Sequence, residues 1–221
     1  MLYFVFLGLY IIAGALNLIG TRKGDGRLFA ATKPLLLLFL CLYCFFRTSP
    51  SPDLLMIAAF AACWLGDVLL MLKGEAWFTA GGVSFFAGHV LLIFIFARQT
   101  SLSDAPLAVL IIAAALYAAA AISVMVRAGK TAPRIMKIPM FMYLLCNSAT
   151  NLFALARMIS SFGVWSVLSF AGALLFFLSD CALFLLRYDN EKKSFFKTDF
   201  FVMLTYISGV LLIALGLAPP V

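Results

Sequence analysis

Long apolar runs fill most of the chain, and short segments with charges, proline or glycine separate them. A helix that crosses a hydrocarbon core of about 30 Å needs about 20 apolar residues, and most runs approach that length. No run alternates between apolar and polar positions as a strand would, and backbone groups in lipid must then be satisfied within helices. The pattern predicts eight transmembrane helices, at Leu2–Gly20, Thr32–Phe46, Leu54–Leu72, Phe78–Ala97, Pro106–Val126, Ile138–Ala156, Gly163–Leu186 and Asp199–Ala218.

The second run is the shortest, and its start is taken from local signals. Thr32 followed by Pro34 is typical of a helix N-terminus, so we interpret Thr32 as the beginning of helix 2. No linker or tail is long enough for a further domain. We therefore predict an all-α integral membrane protein whose residues 1–221 form a single eight-helix bundle.

Composition agrees with this prediction and excludes several classes of protein. Of the 221 residues, 65% are hydrophobic and 11% are charged, whereas soluble domains have about 45–50% and 25%. This excludes a soluble enzyme, a disordered chain and a nucleic-acid-binding domain. The net charge of +7 comes with no basic stripe or basic–aromatic motif. Membrane lipids, rather than nucleic acid, are the expected partners, and the oligomeric state stays open.

The basic residues predict the orientation of the helices. Thirteen of the sixteen Lys and Arg residues belong to the segments after helices 1, 3, 5 and 7, and only Arg47, Arg98 and Arg157 lie on the other side. Cytoplasmic loops of membrane proteins carry the excess of Lys and Arg. Both termini are therefore predicted outside the cytoplasm. The membrane would be the bacterial inner membrane, or the endoplasmic reticulum in a eukaryote.

Two acidic residues lie inside apolar runs, where lipid disfavours a charge. Asp67 and Asp180 are about 7.5 Å and 9 Å from the predicted cytoplasmic ends of helices 3 and 7. Ionisable groups at membrane depth almost always face the bundle interior or a watery cavity. Lys33 and Asn17 are expected at the same depth, Lys33 at the start of helix 2. Since one cation faces two acids, one carboxyl group is expected to be protonated. The competing interpretation is structural: the acids pair with Lys33 or with backbone donors and hold the helices together.

Other polar residues in the spans are ambiguous. His89 shares a helical face with Gly81 and Phe85, and it either is a satisfied interior side chain or orients substrate or a carboxylate. One His and two Asp do not match the common zinc ligand sets, so no metal is predicted. Asn147 and Asn151 share a face with Tyr143 and serve either as interhelical contacts or as site residues.

These motifs together resemble the YhhN-like lysoplasmalogenase family. The resemblance rests on five motifs in order along the chain: Lys33-Pro34, Gly66-Asp67, Gly81-x-x-x-Phe85-x-x-x-His89, the segment from Gly172 to Ser179-Asp180, and Thr205-Tyr206. The chain departs from the family pattern at Leu92, Thr150 and Val210, where the family tends to have Tyr, Met and Gln. The resemblance therefore implies the fold and the aspartate pair more directly than the substrate.

The resemblance implies an eight-span hydrolase that cleaves the vinyl ether bond of lysoplasmalogens into a fatty aldehyde and a glycerophospho-head group. It implies Asp67 and Asp180 as the catalytic pair. The expected partner is a lysophospholipid within the bilayer, and no cofactor is needed. The residues expected to bind or orient the substrate are Lys33, His89, Asn147, Tyr143, Tyr206, Asn17 and Ser179.

The sequence leaves the proton donor open between the two aspartates. Asp67 is preferred, because its neighbours are apolar and no hydroxyl is adjacent to it. A proton-coupled transporter is the main alternative, since it would also bury two acids. An aspartyl intramembrane protease is the other, but Trp64 stands where its Gly-x-Gly-Asp signature has the first glycine.

Overall fold

The computed structural model describes residues 2–101, 105–190 and 195–219, and within these ranges the chain forms eight α-helices and no strand. The helices are α1 Leu2–Lys23, α2 Gly26–Thr48, α3 Leu54–Leu70, α4 Glu75–Arg98, α5 Leu107–Ala128, α6 Arg134–Ser160, α7 Val164–Tyr188 and α8 Asp199–Leu217. Seven of them are long and apolar enough to cross a membrane, and α3, with 17 residues, is shorter.

The prediction of an all-α, multi-pass membrane protein is confirmed. The side on which the termini lie stays a prediction. Of the charges used to predict it, Lys192 and Lys193 lie outside the described residues.

Helix α2 begins six residues before its predicted start. The Asp25 carboxylate accepts two hydrogen bonds from backbone N–H groups of the first turn, at 3.0 and 3.1 Å, and so caps the helix at Gly26. The interpretation of Thr32 and Pro34 as the helix start was therefore wrong, because Pro34 lies inside the helix. Lys33, predicted at the membrane rim, is about 10 Å along the helix from its first residue.

Helix α6 is also longer than predicted, since it begins at Arg134 rather than Ile138 and encloses Pro139. It encloses Arg157 as well, which the sequence reasoning had placed outside the helix. The buried guanidinium donates to the Ser169 hydroxyl at 2.7 Å and to the Gly216 carbonyl at 3.2 Å. A cation at the last turns of α6 and α8 is favourable, because helix C-termini carry partial negative charge.

Contacts group the helices into two units. One unit holds the described residues up to Leu92 together with those from Leu217 on, and the other is Ile93–Gly216. The prediction of a single domain stays a prediction. In the first unit, the Trp64 indole N–H donates to the Pro34 carbonyl at 2.8 Å, and the Ser84 hydroxyl donates to the Ala62 carbonyl at 2.7 Å. These bonds tie α3 to α2 and α4 to α3.

Small residues bring α7 and α8 together in the second unit. A Cβ atom added at Gly172 would lie 2.6 Å from both the Gly209 carbonyl oxygen and the Ile213 backbone nitrogen. A Cβ at Gly209 would in turn lie 2.9 Å from the Gly172 carbonyl oxygen. Close backbone approach through small residues is the usual way for helices to associate in lipid, where no hydrophobic force drives them together.

Candidate functional site

Asp67 lies near the C-terminal end of α3 and is 2% exposed. The Lys33 ammonium of α2 is 3.6 Å from its Oδ1 atom. The preceding Gly66 allows α4 to approach, since a Cβ atom there would lie 2.6 Å from the Phe85 ring. The structure thus brings together two residues that the sequence placed at one depth, and it pairs the carboxylate with a cation inside the first unit.

Asn17 extends this polar region to α1. Its amide nitrogen donates to the Thr32 hydroxyl at 2.9 Å and to the Phe29 carbonyl at 3.3 Å. The Thr32 hydroxyl donates onward to the Leu28 carbonyl at 2.7 Å. Asn17 therefore lies against the turn of α2 that immediately precedes Lys33.

His89 is 1% exposed and lies in α4. It continues the face on which Gly81 and Phe85 contact α3, because the three residues are spaced by four. A Cβ atom at the adjacent Gly88 would lie 2.6 Å from the Cys63 sulfur, so α3 and α4 are close at this level too. His89 is thus an interior residue of the first unit, and its role in orienting substrate stays a prediction.

Asp180 of α7 is the centre of a polar cluster in the second unit and is 7% exposed. The Tyr143 hydroxyl donates to Asp180 Oδ2 at 2.6 Å, and the Asn147 amide donates to the same oxygen at 2.7 Å. Tyr143 and Asn147 are four residues apart on α6, so one helical face delivers both donors. Tyr143 and Asn147, both predicted from the sequence as site residues, thus contact Asp180 directly.

A directional chain of hydrogen bonds continues from Asp180 to α5. The Asn151 amide nitrogen donates to the Asn147 side-chain oxygen at 3.1 Å, and the Tyr117 hydroxyl donates to the Asn151 side-chain oxygen at 3.3 Å. Each donor in the chain thus points toward Asp180. Sequence reasoning missed Tyr117, although the one tyrosine in an alanine-rich apolar helix was a usable signal.

Two other residues predicted to bind or orient substrate make contacts between α7 and α8. The Ser179 hydroxyl donates to the Val202 carbonyl at 2.9 Å, which joins the two helices. The Tyr206 ring packs edge-on against Phe176, with 5.3 Å between the centroids. These contacts stabilise the helix pair that carries Asp180, while direct contact of either side chain with substrate stays a prediction.

The two aspartates have different electrostatic surroundings. The Asp67 carboxyl group has a cation beside it, since the Lys33 ammonium is 3.6 Å away. The donors on Asp180 Oδ2 are neutral, a phenol and an amide. Such donors stabilise a carboxylate as it forms, while adding no positive charge of their own. The first unit thus holds a carboxyl group beside a cation, and the second unit holds one that accepts hydrogen bonds from neutral donors.

A third buried acid lies at the end of α7. Asp189 follows the last residue of this helix, and it is buried. Its Oδ2 is 2.8 Å from the Arg127 guanidinium and 3.1 Å from the Lys197 ammonium. Lys197 also donates to the Asp189 backbone carbonyl at 2.8 Å. This cluster joins the ends of helices α5 and α7 to the segment before α8, with two cations around one carboxylate.

Two cavities along α5 and α6 in the second unit have apolar walls. Their volumes are about 380 and 250 Å³, and both are lined by Ala114 and Leu152. Ser148 lines the larger one, but its hydroxyl donates to the Leu144 carbonyl. Across the described residues, no three His, Cys, Asp or Glu side chains are grouped to hold a metal ion.

The helices and the buried acids define a multi-pass membrane protein with ionisable groups inside its spans, the feature by which such proteins carry out chemistry or transport. The model of the YhhN family matches residues 28–217. The chain belongs to the YhhN family. No curated protein and no solved structure gave a significant match.

Proposed function

We propose that the protein is a membrane hydrolase that cleaves the vinyl ether bond of lysoplasmalogen-type lysophospholipids, with Asp67 and Asp180 as its acid–base residues. Family membership supports an activity in the membrane, and the resemblance of the motifs supports this reaction class. The observation that carries the proposal is the burial of both carboxyl groups inside apolar helices, each among polar partners of its own unit. Burial of this kind is costly and marks functional groups by default.

The partners of the two acids support a division of roles. The Lys33 ammonium is paired with Asp67 at 3.6 Å, and an ion-paired carboxylate suits the role of stabilising positive charge. Asp180 then acts as the proton donor, since Tyr143 and Asn147 stabilise the carboxylate that it becomes. This assignment reverses the preference for Asp67 as the donor that the sequence suggested.

The reaction begins when the carboxyl group of Asp180 protonates the alkene carbon that is not bonded to oxygen. The carbon bonded to oxygen becomes an oxocarbenium ion, and the Asp67 carboxylate stabilises its positive charge. The Asp180 carboxylate next takes a proton from water as the water oxygen bonds to that carbon. As the bond from the hemiacetal carbon to the glycerol oxygen breaks, the hemiacetal hydroxyl loses its proton and the glycerol oxygen gains one, which releases the fatty aldehyde and the glycerophospho-head group. Paired carboxylates of glycosidases use the same oxocarbenium logic.

The test is aldehyde release by the purified protein. A panel of lysolipids with vinyl ether, saturated ether or ester chains is incubated with the protein in detergent, and products are identified by mass spectrometry. We expect fatty aldehyde from the vinyl ether substrates only. Uptake driven by a proton gradient in vesicles, without aldehyde release, would replace the hydrolase by a proton-coupled transporter.

The aspartates are tested by isosteric substitution. Asp67→Asn and Asp180→Asn should each abolish aldehyde release while the protein stays folded, because Asn keeps the shape but loses the charge and the transferable proton. The losses should be far from additive in the double variant if both residues serve one reaction. A folded double variant with the native rate would end the assignment.

A further inference from the structure

The side chain of Asn17 is fully buried in the first unit, at 0% exposure, and only half of its amide is used. Its nitrogen donates to the Phe29 carbonyl and the Thr32 hydroxyl. Because the Phe29 carbonyl can only accept, this bond fixes which end of the amide is nitrogen. The Asn17 Oδ1 atom, at the other end, receives no hydrogen bond from any residue that the structure describes.

Lys33 presents the complementary groups beside it. Its side chain is 11% exposed, and its ammonium lies 3.6 Å from Asp67 Oδ1 and 5.4 Å from the centre of the Phe29 ring. A separation of 3.6 Å is longer than an N–H···O hydrogen bond. Within the described part of the chain, the ammonium protons therefore have an ion pair and a ring face, but no hydrogen-bond acceptor.

The two groups contact the same part of α2. Asn17 bonds to Phe29, and Lys33 lies over the ring of Phe29, one turn further along the same helix. Asn17 is six residues from the end of α1, and Lys33 is seven from the start of α2, so both are about 10 Å from the turn between these helices. A buried acceptor and a buried cationic donor at one depth match a ligand that offers a hydroxyl group and an anionic oxygen.

We propose that Asn17 Oδ1 accepts a hydrogen bond from the free hydroxyl group on the glycerol backbone of a lysophospholipid, while Lys33 donates to its phosphate. The proposal rests on the proposed function, since it takes the lysolipid as substrate. The hydroxyl and the phosphate are a few covalent bonds apart on the glycerol, as one compact site requires. A lipid with a second acyl chain has an ester in place of this hydroxyl and cannot donate. Asn17 is thus the residue that selects lysolipids.

The experiment compares lysolipids that differ only at this hydroxyl. Binding of the hydroxyl form and of its 2-deoxy-2-fluoro analogue to the purified full-length protein in detergent is measured by calorimetry. Fluorine has nearly the size of the hydroxyl but cannot donate a hydrogen bond. The wild-type protein should bind the hydroxyl form about tenfold more tightly, because the analogue leaves a buried acceptor unpaired. Equal binding of the two forms overturns the proposal without any mutation.

Two variants locate the effect. Asn17→Ala removes the acceptor, so this variant should bind the hydroxyl form and the fluoro analogue about equally. Thr32→Val removes the hydroxyl that holds the Asn17 nitrogen and should keep most of the preference, even where stability falls. An Asn17→Ala protein that is folded and keeps the tenfold preference also overturns the proposal. Aldehyde release is measured on the same samples, so a protein with the preference but no aldehyde refutes the proposed reaction and leaves the recognition by Asn17 standing.

Discussion

Removal of the Tyr143 hydroxyl tests whether Asp180 donates the proton. In Tyr143→Phe the ring and its edge-on contact with Phe184, at 5.7 Å between centroids, are kept. The hydrogen bond of 2.6 Å to Asp180 Oδ2 is lost. Because negative charge develops on this oxygen as the proton leaves, the bond is stronger in the transition state than in the ground state, and its loss should lower kcat.

The size of the effect follows from the kind of bond. A hydrogen bond to a charged group contributes about 1.5–3 kcal/mol, which corresponds to a decrease in kcat of about 10- to 150-fold. KM should change little, since the hydroxyl is assigned to the acid rather than to the substrate. The assay is aldehyde release at several concentrations of a vinyl ether lysolipid, with thermal unfolding of each protein in detergent.

Tyr188→Phe is the matched control. The Tyr188 hydroxyl accepts a hydrogen bond of 3.2 Å from Arg187 at the end of α7, away from the Asp180 cluster. Like Tyr143→Phe, this variant removes one hydroxyl group and keeps the ring, but it should keep kcat within about twofold. A stable Tyr143→Phe protein with the kcat of the wild type would refute the role of the hydroxyl and the assignment of Asp180 as the donor.

Three further predictions concern stability and topology. Gly172→Ala should lower stability by about 1–3 kcal/mol in denaturant titration, because its Cβ meets backbone atoms of α8, whereas Gly82→Ala, with nothing within 4 Å, should have no such effect. Lys33→Met should lower the free energy of unfolding by about 3 kcal/mol, because it leaves Asp67 buried without its cation. The additional substitution Asp67→Leu should recover most of this loss. A double variant that is no more stable than Lys33→Met would contradict the prediction. A Lys130→Cys protein should not react with a membrane-impermeant thiol reagent in intact cells and should react in lysed cells. Labelling in intact cells would contradict the predicted orientation.

Part of the Asp180 cluster could be predicted from the identity and spacing of its residues. Tyr143 and Asn147 are four apart, and helical periodicity alone places them on one face. That Asp180 is the residue they hold depends on how α6 packs against α7, which no periodicity encodes. The chain through Asn151 to Tyr117 adds a third helix, so it follows only from tertiary packing.

By itself, the sequence determined the number and type of the helices and the presence of two acids within them. It did so because lipid penalises every unpaired backbone group and every buried charge, so hydropathy along one dimension suffices. Tertiary structure decided the rest, including the pairing of Lys33 with Asp67 and the burial of Arg157 inside α6. These features depend on the angle, depth and rotation at which helices meet, and side-chain contacts across helices set those quantities.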